Sequence, residues 1–435
     1  MHREEILEKV RQVEAEAEVF SVATEETEIR FEANRLKHLQ TSQTNSVALR
    51  LVKDGRIGYA TAAGEFDADA LVRGAVETAQ FGMEAKFQFP GKAAYPEVAV
   101  FDDAVPRVGI DKMMQLGKEM IARITSDTQD IVCGAGVEKG TVSVSIVNSR
   151  GGEASYRKSF FSMALEGSLI RGTDMLFVGE SQSSCHPLLE SGTVTEEVLR
   201  QLELAKGRAI TPTSSLPVIF SPNGVASAFL FPLMTAFSGK TVLEGASPVG
   251  GRLGQQVFDR KFSLYDDATL AYRPGSRLCD DEGVPSQRTP LIQEGIVSNY
   301  LYDLQTAAQA KRKSTGSGSR ARGVVTPAPA AFVVAPGEAT FGEMVGDIKE
   351  GLVIEYLMGA QQGNVLGGDF SGNVLLGYKI ENGKMVGRVK DTMVSGNIYQ
   401  VLREIVAVST EVKWVGSSLL APYIYCPGLS VATQG

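Results

Sequence analysis

The sequence predicts an α+β fold in which mixed, largely antiparallel sheets pack against a small set of helices. Three observations lead to this prediction: alternating strands separated by tight-turn signals, amphipathic helices between them, and an excess of glycine. The chain has 46 glycines among 435 residues, about 11% where about 7% is usual. These glycines lack a collagen-like period and fall at the ends of apolar runs, which indicates many hairpins and close backbone approaches.

The first part of the chain predicts a compact unit of helix, strands, hairpin and helix. A helix is expected over residues 4–20, because the apolar residues there fall on one stripe. Alternating polar and apolar residues then predict strands over 27–32 and 46–52. An Asp-Gly pair at residues 54–55 indicates a type I′ turn, so the second strand belongs to a hairpin. Asp67 is placed to cap a helix that is apolar on one face.

The middle of the chain follows a proline-spaced connector and combines helices with long strands. A helix is expected from Asp111, and its methionine-rich face is interpreted as core filling, with a pliant binding surface as the alternative. Strands are predicted over 141–147 and 159–167, joined by a glycine turn. Residues 193–196 have the spacing of a capping box, which predicts a helix running through Leu202.

The C-terminal part is the least regular and the richest in turn signals. Residues 221–237 begin with a Ser-Pro cap and predict a helix that is kinked or broken near Pro232. Two further hairpins are predicted around Gly295 and Gly383, where glycine follows an acidic or amide residue. Between these hairpins we expect a basic, flexible segment over 311–323 and an amphipathic helix over 341–357.

Changes in composition divide the chain into three predicted domains. An N-terminal α+β domain is expected over 1–105, a central α+β domain over 106–213, and a glycine-rich, β-dominated domain over 214–435. The first boundary follows the proline-spaced connector, and the second follows a run of Thr, Pro and Ser. No tandem repeat is visible.

Charge and cysteine usage exclude several classes of protein. The chain has 43 Lys and Arg against 51 Asp and Glu, a net charge of -8, which argues against a protein that grips nucleic acid. Four well-separated cysteines match no disulfide framework and predict a cytoplasmic location. No signal peptide is visible at the N-terminus, and the richest apolar stretch, about 13 residues, is shorter than the roughly 20 that a bilayer requires. Neither nucleic acid nor a membrane is therefore expected as a partner.

A shortage of histidine limits the chemistry available to this chain. The three histidines are His2, His38 and His186, so the C-terminal half can offer a transition metal only cysteine and carboxylate ligands. Cys185 and His186 are adjacent and would point to opposite faces of a strand, so no metal site is expected there. Residues 238–241 resemble the end of a phosphate-cradling loop but lack its first glycine and follow a helix. A serine nucleophile could rely only on activation by lysine.

Two glycine-rich segments remain as candidate binding elements. The basic segment, residues 311–323, predicts either a solvated loop or a loop that grips a carboxylate or peptide at a groove. The glycine loop, residues 359–372, predicts either tight packing or a strand edge that accepts an extended peptide. We expect the basic segment to be mobile alone and to order against a peptide or partner. Its five basic residues are Lys311, Arg312, Lys313, Arg320 and Arg322.

A set of short motifs runs in order along nearly the whole chain. They are residues 47–60, Asp281-Glu282-Gly283-Val284-Pro285 with Arg288-Thr289, residues 292–301, Lys313-Ser314-Thr315-Gly316, residues 367–371, and residues 378–383 followed by Gly396-Asn397. In order and spacing this set resembles the TldD/PmbA family, once called modulators of DNA gyrase. The resemblance implies a three-part α+β architecture and a role in cytosolic peptide proteolysis.

The resemblance also implies two kinds of subunit. TldD-like subunits carry a His-Glu-x-x-x-His helix and a later cysteine that bind the catalytic metal, whereas PmbA-like (TldE) subunits lack these ligands and pair with the first kind. Here the corresponding helix, residues 224–234, contains neither His nor Glu. The later cysteine position falls near residues 415–418, again without a ligand, and Cys426 lies too far along to replace it. The resemblance therefore implies a metal-free, PmbA/TldE-like chain with no catalytic residues or cofactor of its own.

The family motifs supply the prediction of substrate-binding residues. Two departures from the family pattern bear on these contacts, since Gly367 stands where threonine is usual and Cys279 has no known family role. The predicted residues are Lys313, Ser314, Thr315, Gly316, Arg320, Gly368, Asp369 and Phe370.

Three functional hypotheses follow from these observations. The first is a PmbA/TldE-like subunit that completes the substrate cleft and the dimer of a TldD/TldE-type metalloprotease for unfolded or extended peptides, with a TldD-like metal-bearing partner. The second is a homodimeric, non-catalytic peptide-binding protein. The third is an independent hydrolase using Lys or Ser, for which the sequence shows no constellation. Residues 225–237 are apolar nearly all round and need burial on more than one side, which the core of one subunit or a dimer could supply. The resemblance favours a dimer through the C-terminal part, because it implies that the family works as pairs whose C-terminal domains meet.

Overall fold

The structure is a computed structural model that describes residues 2–321 and 323–433. The predicted α+β class with mixed, largely antiparallel sheets is confirmed. Among the described residues, no helix has both the length and the apolar character needed to cross a membrane. The helices are α1 (His2–Gln12), α2 (Ala68–Ala79), α3 (Ala104–Arg107), α4 (Ile110–Asp127), α5 (Gly192–Leu204), α6 (Pro222–Val225), α7 (Phe231–Ala236), α8 (Gly239–Leu243), α9 (Leu304–Gln309), α10 (Phe341–Asp347) and α11 (Ile398–Val401). The strands are β1 (Glu16–Glu32), β2 (Arg35–Lys53), β3 (Arg56–Ala63), β4 (Val132–Asn148), β5 (Glu153–Arg171), β6 (Asp174–Ser184), β7 (Ser214–Phe220), β8 (Leu264–Asp267), β9 (Arg288–Gln293), β10 (Ile296–Val297), β11 (Gly318–Ala321), β12 (Val324–Pro327), β13 (Phe332–Val334), β14 (Glu350–Met358), β15 (Asp369–Glu381), β16 (Lys384–Arg388), β17 (Thr392–Asn397), β18 (Ala407–Val415) and β19 (Leu419–Thr433).

A six-stranded antiparallel sheet has the order β3-β2-β1-β4-β5-β6. β1 pairs with β2 on one side and with β4 on the other, so that Val19 lies opposite both Leu49 and Val147. The sheet therefore joins residues from both sides of the predicted boundary at 105/106, because β4 belongs to the central segment. The two domain boundaries themselves stay a prediction.

Five helices, α1 to α5, pack on one face of this sheet, and the short α3 places Val105 in the core there. α1 and α2 pack on one half of the face, where Ile6 and Leu71 are buried. α4 and α5 pack on the other half, where Met113 and Phe161 share a core, so the methionine-rich face of α4 fills the core as predicted. The opposite face of the sheet packs against the C-terminal part near Cys279, and further along it forms the floor of an open cleft.

The N-terminal helix is shorter than the sequence predicts. α1 ends at Gln12, and Glu14 adopts a φ of 55° before β1 begins. Ala17 and Val19 lie in β1 and are buried in the same core as α1. The prediction of a helix over 4–20 is therefore wrong beyond Gln12, because the same apolar spacing fits a helical stripe and an alternating strand.

The start of α5 also differs from the prediction. α5 begins at Gly192 with Ser191 as its N-cap residue, and the Ser191 side chain makes no capping hydrogen bond. The Thr195 hydroxyl donates to the Ser191 carbonyl at 3.0 Å. The capping box predicted over 193–196 does not form, because the helix has already begun when the chain reaches it.

An eleven-stranded sheet forms the framework of the C-terminal part. Its order is β10-β9-β8-β13-β19-β17-β15-β14-β7, with β16 paired to β15 and β18 paired to β19. β19 also pairs with β7, so β7, β14, β15, β17 and β19 close a circuit of strands. The hairpins predicted around Gly295 and Gly383 are confirmed, and both glycines have a φ of 78°.

The single helix predicted over 341–357 is wrong. α10 ends at Asp347, and β14 begins at Glu350. β14 pairs with β7 on one side and β15 on the other, and it is buried on both faces, with Ile354 in one core and Val353 in another. A strand buried on both faces has a continuous apolar run that periodicity cannot separate from a buried helix.

The helix predicted over 221–237 forms with the expected cap. The Ser221 hydroxyl accepts the Gly224 N–H at 3.2 Å. The chain then continues from α6 through a π-helical turn, Ala226–Leu230, into α7 without a break at the proline. We call this continuous element, Pro222 to Ala236, the central helix. Within the chain its sides are covered unequally, since Phe229 is buried while Phe231 is 47% exposed.

The basic segment is packed rather than solvated. Residues 315–318 are buried, and β11 pairs with β12 so that Ser319 lies opposite Thr326. The expectation of a solvated loop is therefore wrong for residues 315–318, whereas the expectation that the segment is mobile alone and orders against a peptide or partner stays a prediction. The side chains of the first three basic residues are exposed, and Arg322 lies outside the described residues.

Candidate functional site

Four charged side chains form a buried ion network between the six-stranded sheet and the C-terminal part. Glu18 and Arg50 lie opposite each other on β1 and β2, Glu282 lies between β8 and β9, and Arg320 lies in β11. The Arg50 guanidinium donates to Glu282 at 2.5 Å and to Glu18 at 3.2 Å, and Arg320 also donates to Glu18. None of the four side chains is more than 3% exposed. The network therefore links the six-stranded sheet to the C-terminal part. Removing any one member would destabilise the fold, because it would leave a buried charge without its partner.

Carboxyl groups outnumber guanidinium groups around Glu282. Asp280 is buried beside it and accepts the backbone N–H groups of Glu282, Val284 and Gly318. Burial raises the pKa of Glu282 to about 8 against the opposing charge of Arg50, and the carboxyl group of Asp280 acts in the same direction as burial. Burial also raises the pKa of Asp280 to about 6. The network therefore favours a protonated carboxyl group near neutral pH.

Sequence reasoning missed this network, although three of its members lie in or next to the quoted motifs. Glu18 and Arg50 occupy the strand face opposite the helices, and alternation alone places such residues in solvent. The C-terminal part buries that face, and nothing local in β1 or β2 reports this contact. The available signal was weak: Glu18 and Arg50 each lie between apolar neighbours, but so does Arg30 of β1.

Two predicted binding residues of the basic segment hold the backbone of Tyr302. The Ser314 hydroxyl donates to the Tyr302 carbonyl at 3.0 Å, and the Thr315 hydroxyl accepts the Tyr302 N–H at 2.7 Å. Gly316 has a φ of 70°, and a Cβ there would stand 2.7 Å from the carbonyl oxygen of Pro285. The Lys313 side chain is exposed, so it is the member of this group that reaches solvent.

Arg320 finds its partners inside the chain. Besides Glu18, its guanidinium donates to the Asp281 carbonyl at 3.0 Å and to the Gly323 carbonyl at 3.2 Å. It also lies 5.1 Å from the centre of the Phe20 ring. Contact of Arg320 with a substrate stays a prediction, and the contacts observed here are structural.

The glycine loop presents one exposed carboxylate beside a buried ring. Gly368 has a φ of 81°, and a Cβ there would stand 2.4 Å from the ring of Tyr399. Asp369 is exposed and accepts a hydrogen bond from the Asn397 side chain at 2.8 Å. Phe370 is 3% exposed and packs with aromatic rings of β7 and the π-helical turn. Asp369 is therefore the predicted binding residue of this loop that is free to meet a ligand.

The central helix connects the two predicted binding segments. The Tyr399 hydroxyl, next to the glycine loop, donates to the Pro232 carbonyl at 3.4 Å. Beyond the C-terminal end of the helix, the Leu301 N–H donates to the Phe237 carbonyl at 2.8 Å, and the next residue is Tyr302, which holds the basic segment. The structure therefore brings both segments to one helix, at different points along its length.

An apolar stripe runs along the open side of the central helix. Phe231 is 47% exposed, and Leu230 and Met234 are half-buried. These three residues share one side of the helix because they are spaced by one and three to four positions. We call Leu230, Phe231 and Met234 the open stripe. Leu366 of the glycine loop adds a further exposed apolar side chain.

Family models match most of the region just described. The model for the PmbA/TldA metallopeptidase C-terminal domain matches residues 213–433, and the model for PmbA/TldA metallopeptidase domain 1 matches residues 17–79. The chain belongs to the TldD/PmbA family. The larger match contains the central helix, the basic segment and the glycine loop.

Relatives and solved structures agree with this assignment. The chain is 28% identical over 406 residues to an uncharacterized protein of Methanocaldococcus jannaschii, a match covering 91% of each chain. It is 28% identical over 222 residues to metalloprotease PmbA of Escherichia coli O157:H7, which covers 51% of this chain and 47% of that protein. The crystal structure of TldE from Thermococcus kodakarensis superposes with a TM-score of 0.89 and 21% identity, covering 99% of this chain and 100% of that one. This likeness confirms the three-part TldD/PmbA fold.

The central helix does not fit the metal that the family resemblance assigns to the corresponding helix of TldD-like subunits. Between Gly224 and Met234 it has no His, Cys, Asp or Glu side chain. Across residues 2–321 and 323–433, no group of three or more such side chains could hold a metal ion. Cys426 is buried in β19, and burial raises the pKa of its thiol. The residues of this chain therefore offer a metal no constellation of ligands at the helix.

Proposed function

We propose that this chain is a PmbA/TldE-like, non-catalytic subunit of a cytoplasmic TldD/TldE-type metalloprotease that acts on unfolded or extended peptides. In this proposal a TldD-like partner supplies the metal and the chemistry. This chain contributes one side of the substrate cleft and of the dimer interface. Membership of the TldD/PmbA family and the apolar residues at the ligand positions of the central helix support the assignment.

The open stripe is the observation that carries the proposal. A Phe side chain that is 47% exposed on an otherwise packed helix leaves apolar surface in water, and covering such surface is favourable by about 25 cal/mol per Å². The three residues of the open stripe are uncharged. The glycine loop, with its exposed Leu366, belongs to the same C-terminal part of the chain. A partner helix packed there would bury the second side of the central helix.

The exposed members of the predicted binding set give this subunit a way to hold peptide without doing chemistry. Asp369 offers a carboxylate, and Lys313 offers an ammonium group at the start of the basic segment. Several backbone N–H groups of the glycine loop, those of Gln362, Val365 and Gly368 among them, donate within the loop, so main-chain hydrogen bonds to an extended peptide would use its remaining backbone groups. These contacts would position the peptide for a metal held by the partner.

A homodimeric peptide-binding protein is the second candidate. The open stripe is as compatible with a homodimer as with a heterodimer, because an uncharged apolar stripe can pack against its own copy across a two-fold axis. The two candidates differ in the preferred partner and in whether peptide is cleaved.

Co-expression with a metal-bearing family member from the same genome tests the proposal. We expect the two chains to co-purify, with a mass by light scattering equal to a one-to-one pair, and we expect Phe231→Glu to abolish this pairing. Phe81→Glu serves as the matched control, because Phe81 is 90% exposed and lies in the N-terminal part. A monomeric chain with and without that family member would contradict the proposal, and a homodimer that ignores it would favour the second candidate.

A further inference from the structure

A cleft lies on the face of the six-stranded sheet that the helices leave open. Its volume is about 720 Å³, and Lys158 and Ser162 of β5 lie on its floor. One wall is the segment that carries Arg277, and another is the turn at residues 416–417. This volume is within the range of pockets that bind small ligands, about 300–1,000 Å³.

Arg277 lies in the wall of this cleft with few hydrogen-bond acceptors. Its side chain is 13% exposed, and its Nη1 atom stands 3.5 Å from the Asp281 carboxylate. Its Nε atom is buried and has no acceptor among the residues that the structure describes. Asp281 also accepts the backbone N–H of Arg320 at 2.7 Å. Because the Nε atom is inaccessible, an anion in the cleft would meet Arg277 through its Nη groups, which also carry N–H donors.

Lys158 adds a second positive charge at the same end of the cleft. Its ammonium group donates to the Pro274 carbonyl and, at 3.0 Å, to the Ser276 carbonyl, which leaves one of three donors free. Burial lowers the pKa of Lys158 to about 8, and the charge of Arg277 acts in the same direction. The Asp281 carboxylate acts on both positive groups, and the buried Asp280 and Asp266 also act on Arg277.

Acidic side chains lie toward the other end of the cleft. Glu138 is on β4, four residues before Val142, which pairs with Lys158. Four residues of a strand span about 13 Å. Burial raises the pKa of Glu138, and nearby Glu26 adds to this effect while Arg30 opposes it. Lys158 and Glu138 therefore carry opposite charges and lie about four extended residues apart along the floor of the cleft.

We propose that this cleft binds a short peptide by its free C-terminal carboxylate, which Arg277 and Lys158 hold, with the amino end toward Glu138. The proposal rests on the proposed function, because it names the form of peptide that this subunit takes. A carboxylate gives Arg277 two acceptors in one plane, a geometry that guanidinium groups prefer. Peptides of about four residues match both the separation of charges and the volume. Such peptides are products of cleavage, whereas an internal segment of a long chain carries no carboxylate to offer.

Calorimetric titration of the isolated full-length chain with tetraalanine, tetraalanine amide and propionate tests this inference. We expect tetraalanine to bind at least about 10-fold more tightly than its amide, because the charge-assisted hydrogen bonds are lost with the carboxylate. We expect it also to bind at least about 10-fold more tightly than propionate, which has the carboxylate without the peptide. Equal binding of tetraalanine and its amide, or no binding of tetraalanine at millimolar concentration, would overturn the inference. Propionate that binds as tightly as tetraalanine would overturn the assignment to a peptide.

Substitutions locate the binding site. Arg277→Gln and Lys158→Gln should each weaken tetraalanine binding by about 10-fold or more while leaving the amide unchanged. Arg157→Gln is the matched control, because Arg157 is the adjacent residue on β5, points away from the cleft floor and lies over the Phe101 ring. An effect of Arg157→Gln as large as that of Arg277→Gln would contradict the site. The comparison of wild-type ligands needs no variant and stands if a variant fails to fold. These titrations need no partner subunit, so their failure is separate from a failure of the co-purification experiment.

Discussion

The basic segment and the glycine loop are both rich in glycine and polar residues, but they are buried to very different extents. Both combine glycine with polar residues, and both carry predicted binding residues. In the basic segment, Thr315 to Gly318 are buried and Arg320 joins the ion network. In the glycine loop, most residues between 361 and 367 are exposed, and Asp369 keeps its carboxylate at the surface. Glycine allows close packing in both segments, at Gly316 and at Gly368, but only the glycine loop keeps most of its chain exposed.

The two segments differ because a residue far away in the sequence holds the basic segment, whereas the glycine loop contacts residues of its own surface region. Arg320 is fixed by Glu18, which lies about 300 residues earlier in the chain. The main polar contacts of Asp369 are to Asn364 and Asn397, which belong to its own surface region. Composition therefore predicts that a segment has unusual backbone freedom, but burial and charge pairing decide whether that freedom is used for packing or for binding.

The largest effect is expected from breaking the ion network in the basic segment. Arg320→Met should lower the free energy of unfolding by about 3 kcal/mol, because it leaves the buried Glu18 with only one cation. Urea denaturation measures this change. Lys313→Met is the matched control in the same segment and should change stability by no more than about 0.5 kcal/mol, since its side chain is exposed. A loss below about 1 kcal/mol for Arg320→Met would mean that the network does not tie the two parts together.

A matched pair of glycine substitutions sharpens the same comparison. Gly316 and Gly359 have φ values of 70° and 78°, so alanine is strained at both, by about 1–2 kcal/mol. A Cβ at Gly316 would also stand 2.7 Å from a backbone oxygen, whereas at Gly359 its nearest neighbour is at 3.8 Å. We expect Gly316→Ala to destabilise the chain by about 2 kcal/mol more than Gly359→Ala. Equal losses in urea denaturation would remove the packing difference between the two segments.

The pH dependence of stability tests the protonation of the network. The pKa of Glu282 is raised by burial to about 8, so between about pH 5 and pH 8 the folded state binds more protons at this group than the unfolded state does. Stability therefore falls as pH rises through this window. From pH 5 to pH 8, the unfolding free energy of the wild type should fall relative to that of Glu282→Gln. A difference that is constant with pH would show that Glu282 is ionised throughout.

The smallest effect on stability, but a clear effect on function, is expected in the glycine loop. Asp369→Ala should cost less than about 1 kcal/mol of stability, because it loses an exposed hydrogen bond to Asn397. In the complex with a metal-bearing partner it should lower peptide cleavage by about 10-fold while metal content stays unchanged. Asp369→Asn keeps the hydrogen-bond acceptor, so it separates the role of charge from that of local structure. Cleavage that is unaffected by both variants would place the peptide elsewhere.

Elements specified by local chemistry could be predicted from the sequence. The Asp-Gly turn at 54–55, the Ser221 cap and the hairpins at Gly295 and Gly383 all form as expected, because their residues fix turn and cap geometry within a few positions. Residues 16–20 and 350–357 were assigned to the wrong element, because tertiary pairing overrides a periodicity that fits both helix and strand.

The site was predictable as a set of motifs but not as an arrangement. The motifs around Glu282, Lys313 and Asp369 can be recognised in order along the chain. The sequence also shows directly that the central helix lacks metal ligands. That Arg320 would be buried against Glu18 depends on how the C-terminal part packs on the sheet, which no local pattern encodes. Sequence therefore predicts which segments to examine, and packing determines which of their side chains remain available.

Metal content tests the central claim most directly. Elemental analysis of the washed, isolated chain and of its complex with a metal-bearing family member, run beside a peptide-cleavage assay, compares the two states. The account predicts no stoichiometric transition metal and no cleavage for the isolated chain, and about one metal per pair with chelator-sensitive cleavage for the complex. About one tightly held transition metal per isolated chain, or full activity of the partner alone, would contradict it.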